Sequence, residues 1–231
     1  NDRLSIQVHP SDEVALKKHN EFGKSESWYI MEASDDATLI MGMKPGITKE
    51  KFLEKVEKND FDGLFEEKTV KKGDFIDITP GTVHASLKGS VLFAEVQQNS
   101  DVTYRIYDFD RIDENGKKRE LHLQDSADVI DFGKEVEIRN TDFNDSENRK
   151  SILRKHIIKK EYYSIDKLKF SDSFEDVNNE SMTIYSILEG EGKIVWGENE
   201  ELSIKKGETV LIPVGINTKT IGNFEILRTV I

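Results

Sequence analysis

Short runs of alternating apolar and polar residues recur along the chain, separated by turn residues, and few stretches carry helical periodicity. In residues 4–8, LSIQV, Leu4, Ile6 and Val8 point to one side and Ser5 and Gln7 to the other, with His9 continuing that second side. Pro10 ends the strand. Ser11 is placed to cap a short helix through Lys18, with Asp12 and Glu13 in its first turn and lysines in its last. Residues 22–26, FGKSE, read as a glycine-marked loop entering an aromatic strand at 27–32, and 37–43 is a further strand. Thr48 caps a predicted helix through Lys58 that buries Phe52, Leu53 and Val56, and Asp60 caps a shorter one holding Phe61, Leu64 and Phe65.

Residues 71–85, KKGDFIDITPGTVHA, organise the pattern. A polar turn at Gly73 leads to the apolar run Phe75, Ile76 and Ile78; Pro80 and Gly81 stop it, and His84 follows at the mouth of whatever the strand encloses. In 91–97 one face carries Leu92, Ala94 and Val96, the other Phe93, Glu95 and Gln97. Residues 101–107 set Val102, Tyr104 and Ile106 against Asp101, Thr103, Arg105 and Tyr107. An Asn-Gly turn is predicted within 113–118, a helical turn at 127–132, and an aperiodic domain boundary at 142–150. Beyond it strands are predicted at 162–165, 182–188, 192–196, 202–205, 209–212 and 224–229, with residues 189–192, EGEG, as a hairpin turn. The segment 70–74, VKKGD, returns as 204–208, IKKGE; the same register sets Gly81 on Gly215 and His84 on Thr218. Two copies of one β unit follow, the histidine present only in the first. The expected division is a metal-binding unit at 1–141, with a short helical insertion, and a second unit at 151–231 without the metal site.

Charge narrows the partners. The 231 residues carry a formal −12, which disfavours nucleic acid, and any anionic substrate needs a locally positive pocket. With no cysteine, a metal here must take nitrogen and oxygen ligands. No apolar run approaches the roughly 18 residues of a membrane span, and the absence of a leader pattern points to the cytoplasm. The chain opens at Asn1 almost directly in a strand pattern, which suggests a further segment upstream.

Gln7, His9, Glu26 and His84 together supply two imidazoles, a carboxylate and an amide oxygen. Two histidines with a carboxylate form a catalytic zinc set that leaves a position open. Taken singly, each has a bland use as a surface or core polar group; Gln7 and His9 on one strand face, and both histidines beside turn prolines, favour the joint reading. Lys24 and Arg105 offer positive charge, with a solvated lysine and an arginine paired to Asp101 as the plain alternatives. Glu95 serves either to support the ligands or as a base. Trp28, Tyr29, Tyr104 and Tyr107 suit a sugar cleft or ordinary core packing.

The segments QVHP at 7–10, GKSESWY at 23–29, PGTVH at 80–84 and EVQQNSDVTYRIYDFDR at 95–111 resemble type I mannose-6-phosphate isomerase in its short bacterial form. The resemblance spans nearly the whole chain. It implies a mostly β double cupin of jelly-roll barrels with a few short helices, and zinc-dependent interconversion of mannose 6-phosphate and fructose 6-phosphate. It further implies a monomer or homodimer with a sugar phosphate as its substrate and neither nucleic acid nor membrane as partner. By the same resemblance Gln7, His9, Glu26 and His84 are the metal ligands, while Lys24, Asp101 and Arg105 handle substrate and catalysis. Two departures stand out: the family's segment before QVHP is not in this chain, and Gly23 stands where some relatives carry a histidine. A cupin oxygenase, which more often uses three histidines and a redox metal, and a noncatalytic sugar-binding cupin are the competing classes.

Overall fold

The computed structural model describes residues 4–231 apart from 113, 115, 150, 151, 178 and 179. The chain divides into two units, Asn1–Asn140 and Thr141–Ile231. Residues 150 and 151, where the expected boundary ends and the second expected unit begins, lie outside the described residues.

The first unit runs β1 (Ile6–Val8), α1 (Asp12–His19), β2 (Glu26–Ala33), β3 (Thr38–Met43), α2 (Lys49–Glu57), β4 (Phe65–Thr69), β5 (Asp74–Ile78), β6 (His84–Lys88), β7 (Val91–Gln97), β8 (Tyr104–Tyr107), α3 (Leu123–Val129) and β9 (Ile138–Asn140). Its strands form two antiparallel sheets, ordered β4-β3-β6-β1-β8 and β7-β2-β5-β9. Alternation assigns the faces. Ile6 and Val8 pack with Ile40, Ala85, Tyr104 and Ile106 against Phe52 and Val56 of α2 and Ala127 of α3. The opposite face of the same sheet sends Leu39 and Met41 against Trp28, Ile30, Ile76 and Ile78 of the second sheet. Helices therefore back the first sheet, and the space between the sheets receives whatever β1 points away from Ile6 and Val8, which is Gln7.

Thr48 caps α2 as predicted, accepting from the Lys51 amide at 3.3 Å. Ser11 holds the capping position of α1 without a side-chain bond to it. The short helix expected after Asp60 is replaced by a turn, in which Asp60 accepts from the Asp62 amide at 3.1 Å, and by β4. Phe65 pairs with Met43 on β3, so sheet pairing overrides the local helical pattern. Asn115, half of the expected Asn-Gly turn, lies outside the described residues, while its flanks Ile112 and Lys118 form an antiparallel bridge.

The second unit comprises β10 (Glu147–Arg149), β11 (Ile152–Lys159), β12 (Ser164–Asp176), β13 (Thr183–Trp196), β14 (Glu200–Lys205), β15 (Thr209–Ile212) and β16 (Thr218–Val230). Its sheet is ordered β10-β11-β12-β16-β13-β14, with β15 also paired to β13. Leu168, Phe170, Tyr185, Ile187, Ile194, Ile204, Phe224 and Ile226 make the core. The hairpin turn expected at 189–192 does not form; β13 runs through it. The glycines serve close approach instead, since a Cβ on Gly190 would lie 1.8 Å from the Asn223 carbonyl oxygen. Among the described residues no helix is long and apolar enough to cross a membrane.

The repeat is visible atom by atom. Gly73 and Gly207 have φ of 89° and 87°, and Gly81 and Gly215 of 83° and 81°. The Gly73 amide donates to Ile30 and that of Gly207 to Ile187, each at 2.9 Å. Lys71 and Lys205 amides donate to the Asp74 and Glu208 carboxylates, each at 2.9 Å. A Cβ on Gly207 meets nothing within 4 Å, and one on Gly73 only the Asn140 amide at 3.8 Å. Gly73→Ala and Gly207→Ala should therefore each cost about 1–2 kcal/mol through backbone conformation alone, measured by urea unfolding; a loss at one site and none at the other would contradict the equivalence.

Candidate metal centre

Three strands of the first sheet bring the site together. Gln7 on β1 lies opposite His84 on β6 and Arg105 on β8, and His84 lies opposite Met41 on β3. Cross-strand neighbours share a face, so Met41, His84, Gln7 and Arg105 form one row facing the second sheet. Glu26, the first residue of β2, comes from that second sheet, paired with Ile78 and Gln97. His9 follows β1, and its carbonyl accepts from the Gly81 amide at 2.9 Å. That bond ties the Pro80-Gly81 turn, and hence the start of β6, to the second histidine.

Glu26 Oε1 lies 3.2 Å from His9 Nε2, and Oε2 lies 3.4 Å from His84 Nε2. One ligand atom from each of the three residues lies within 4.8 Å of the others. All three residues are buried, at 2 %, 1 % and 0 % exposure for His9, Glu26 and His84. The two rings are oriented by backbone carbonyls: His9 Nδ1 donates to Val102 at 3.0 Å and His84 Nδ1 to Thr82 at 2.9 Å. A carbonyl only accepts, so each Nδ1 carries hydrogen, and a neutral ring in this orientation would present a lone pair at Nε2. The carboxylate presents lone pairs as well. His9 Nε2 and Glu26 Oε2 have no hydrogen-bond partner among the described residues. Buried lone pairs aimed at one another repel, and a cation between them removes the conflict. Two nitrogens and a carboxylate oxygen, without thiolate, suit a divalent metal ion.

Gln7 completes the ring of groups. Its Nε2 lies 3.2 Å from His84 Nε2, and its Oε1 accepts from Ser5 Oγ at 3.0 Å. A half-turn of the amide leaves its shape unchanged and presents the oxygen to the site, since the Ser5 hydroxyl also accepts. Lys24 Nζ stands 3.2 Å from Glu26 Oε1.

The local charges follow from burial and neighbours. Burial alone would push the Glu26 carboxyl up, but the close approach of His9 and the charge of Lys24, 3.2 Å away, hold it below the usual carboxylate range. Burial pushes His84 down to about 4 against the pull of Glu26, so the ring is neutral at pH 7. Glu95 occupies an exposed position on β7, yet the desolvated setting of its carboxyl, together with the Glu26 charge, raises it to about 7 despite Lys24.

Arg105 is half-buried, and its Nε is buried without a hydrogen-bond partner among the described residues. Burial and the neighbouring Arg119 charge lower its pKa, with Asp108 acting the other way. Asp101 is exposed and precedes β8, and among the described residues no hydrogen bond or ion pair joins it to this cluster. The carboxylate that balances the basic groups is Asp108, which accepts from Arg119 Nε at 2.7 Å and Arg111 Nε at 3.1 Å. The spacing of Asp108 and Arg111 was its only sequence signal. Trp28 stacks on Phe93 at 4.3 Å and meets the His84 ring edge-on at 5.5 Å, a packing role beside the site. Tyr29 and Tyr104 are buried in the same way.

Residues 153–231 match the family model described as the mannose-6-phosphate isomerase cupin domain. The chain is 41% identical over 214 residues to mannose-6-phosphate isomerase ManA of Bacillus subtilis, covering 92% of this chain and 66% of that protein. It is 34% identical over 230 residues to the mannose-6-phosphate isomerase of Streptococcus mutans, covering 99% of this chain and 71% of that one. The chain belongs to the mannose-6-phosphate isomerase family. The crystal structure of the mannose 6-phosphate isomerase from Bacillus subtilis matches all 100% of this chain and 72% of its own at TM-score 0.86 and 32% identity. The fold is thus the mostly β, cupin type of that family. The chain spans about two thirds of the length of these curated relatives, 66% and 71%.

The repeat carries the site's register into the second unit. Gln7 opposite His84 is matched by Asp176 opposite Thr218, Glu26 opposite Ile78 by Thr183 opposite Ile212, and Trp28 opposite Glu95 by Tyr185 opposite Arg228. No imidazole stands at these positions. Asp176 instead accepts from Tyr185 Oη at 2.6 Å and from Arg228 Nε at 2.5 Å. The second guanidinium bond to Asp176 measures 2.9 Å.

Two outcomes follow. Arg228→Met leaves Asp176 buried without its cation and should cost about 3–5 kcal/mol, whereas pairing it with Asp176→Leu should recover part of the loss, the buried Tyr185 hydroxyl then lacking its acceptor; urea unfolding of the single and double variants checks this. In the metal-free protein, His84 holds its folded pKa of about 4 below the ordinary 6.5, so the unfolded chain binds the proton first. Its stability contribution is present above pH 6.5 and is lost as pH falls towards 4, in the same direction as the depressed Glu26 at lower pH. Unfolding at pH 7 and pH 5 should show this drop, smaller in His84→Gln; equal drops in both proteins would contradict it.

Proposed function

We propose that this chain carries the metal centre of a zinc-dependent aldose–ketose isomerase that interconverts mannose 6-phosphate and fructose 6-phosphate. The observation that carries the reading is the buried convergence of His9, Glu26 and His84, whose lone pairs face one another while both Nδ1 atoms are committed to carbonyls. In this reading Gln7, His9, Glu26 and His84 are the four ligands, residues 1–141 form the metal-binding cupin domain, and 151–231 form a cupin-like domain without a metal site. The family relationship supports the substrate pair.

The reaction moves a proton between adjacent carbons. A base removes it from C2 of the open aldose, and the electron pair forms the C1–C2 double bond of an enediolate as the charge moves to O1. A proton then passes from the O2 hydroxyl to O1, C2 becomes the carbonyl carbon, and the carbon-bound proton returns at C1. Bound zinc supplies Lewis-acid stabilisation of the charge that develops on the sugar oxygens. Glu95, raised to about 7, is ionised and protonated in comparable amounts near neutral pH, which suits a group that takes up and returns a proton. Lys24, 3.2 Å from Glu26, places an ammonium beside the ligands, where it steadies developing oxyanion charge. Arg105 keeps Nε free for a phosphate or enediolate oxygen and reverses the acidic field of the protein locally. Asp101, exposed ahead of β8, is assigned to substrate handling at the rim. A monomer or homodimer working in the cytoplasm, with neither nucleic acid nor membrane as partner, completes the proposal.

Coupled turnover of mannose 6-phosphate by the full-length protein, with its metal content measured in parallel, tests the reading. Chelation should abolish turnover and zinc restore it. Iron or copper with oxygen consumption would point to an oxygenase, and sugar phosphate binding without turnover to a noncatalytic cupin. Arg105→Ala should lower kcat/KM about 10²-fold or more with fold and zinc retained. Arg105→Lys should recover little, because an ammonium lacks the planar fork. Unchanged kcat/KM in Arg105→Ala would remove this residue from the site.

A further inference from the structure

The loop that carries Lys24 and leads into Glu26 has little regular structure of its own, yet its backbone is held at residues 22–25. The Gly23 amide donates to Asp12 Oδ1 at 2.7 Å, the Lys24 amide to the Pro10 carbonyl at 3.2 Å, and the Ser25 amide to Gln98 Oε1 at 3.1 Å. The Ser25 carbonyl accepts from the Gln98 amide at 3.0 Å, and the Phe22 carbonyl from Ser100 Oγ at 2.7 Å. Gln98 Nε2 donates to the same Asp12 Oδ1 at 2.9 Å, so one side chain joins the loop to the first residue of α1. Gln98 and Ser100 are both buried. Gly23 lies so close to the 10–12 backbone that a Cβ would sit 2.4 Å from the Ser11 carbonyl carbon and 2.6 Å from the Pro10 oxygen. No ordinary side chain fits there without moving one segment off the other.

The clamp has a definite geometry. On one side stand Pro10 and Asp12, immediately after His9; on the other, Gly23 to Ser25, immediately before Glu26. The orienting bond of His9 comes from the same neighbourhood: its ring donates to the Val102 carbonyl at 3.0 Å, and the Val102 amide donates to Ser100 Oγ at 3.2 Å. Ser100 therefore links the loop to the carbonyl that fixes His9.

We propose that Asp12 and Gln98 are positioning residues, which set Glu26 and Lys24 against His9 by holding the intervening loop through acceptor and amide bonds. The proposal rests on the metal-centre reading above for its functional consequence. Asp12 acts as an acceptor of two hydrogen bonds at one oxygen, and an amide oxygen does the same; Gln98 must both accept from Ser25 and donate to Asp12.

The test uses the full-length protein and three readouts: zinc affinity by competition with a chelator, kcat and KM for mannose 6-phosphate, and exchange of the Gly23 and Ser25 amides. Asp12→Ala and Gln98→Ala should weaken zinc binding about 10–100-fold, as loss of groups that orient ligands does. They should lower kcat more than they change KM and speed both amides. Asp12→Asn should restore all three to near the unaltered protein. Gln98→Glu keeps size and the bond from Ser25 but turns a lone pair on Asp12; it should behave like Gln98→Ala, and serves where the alanine variant does not fold. Unchanged zinc affinity in Asp12→Ala and Gln98→Ala, or an Asp12→Asn variant as impaired as Asp12→Ala, would overturn the proposal. Should the unaltered protein neither bind zinc nor turn over the sugar phosphate, the metal-centre reading fails; amide exchange then still decides whether the clamp exists.

Discussion

Two imidazoles and a carboxylate, buried together with their lone pairs turned inward, impose the constraint on which the first unit depends. Each ring is locked by a carbonyl behind it, so neither can relieve the conflict by changing tautomer without breaking a buried hydrogen bond. The surrounding residues answer the same problem. Lys24 brings positive charge to Glu26 and helps keep that carboxylate ionised where burial alone would push its pKa up. The Gly81 amide bonded to the His9 carbonyl secures the turn before His84. Buried polar groups gathered this closely are costly for stability, and such clusters concentrate at functional sites.

The second unit repeats the turns and strand register of the first with the buried charges paired within the protein. Its turns repeat those of the first to within a few degrees, and corresponding strands pair in corresponding register. At the matching positions the chain places Asp176, Arg228 and Tyr185, so anion and cation are both covalent parts of the protein. Threonines stand where the first unit has Glu26 and His84. One β scaffold thus accepts either arrangement, because the strands fix where side chains meet while their identity decides what chemistry the meeting allows.

The position of Arg105 shows how local electrostatics can oppose a net charge of −12. A guanidinium on the same sheet row as Gln7 and His84 is half-buried, where water screens it little, and the nearby Asp108 takes its bonds from Arg111 and Arg119. The Arg105 Nε therefore stays without a hydrogen-bond partner among the described residues.

Much of this was legible in the sequence because β alternation is local. Leu4–Ile6–Val8 against Gln7–His9 assigns faces from residue order alone, and the recurring KKG with its glycines declares the repeat because positive φ has few other solutions. The residue types at positions 7, 9, 26 and 84 limit the chemistry to nitrogen and oxygen ligation. What the chain order does not contain is which strands become neighbours. Phe65 entered β4 rather than a helix because Met43 was waiting across the sheet, and residues 189–192 stayed within one strand because β16 lay against their glycines. Asp101 fell off the end of β8 while Asp108 gained the arginines. The roles of Asp12 and Gln98, 86 positions apart, arise only when the backbone of one loop is laid against another. Composition and spacing determine what groups are on offer; long-range backbone pairing decides which of them meet.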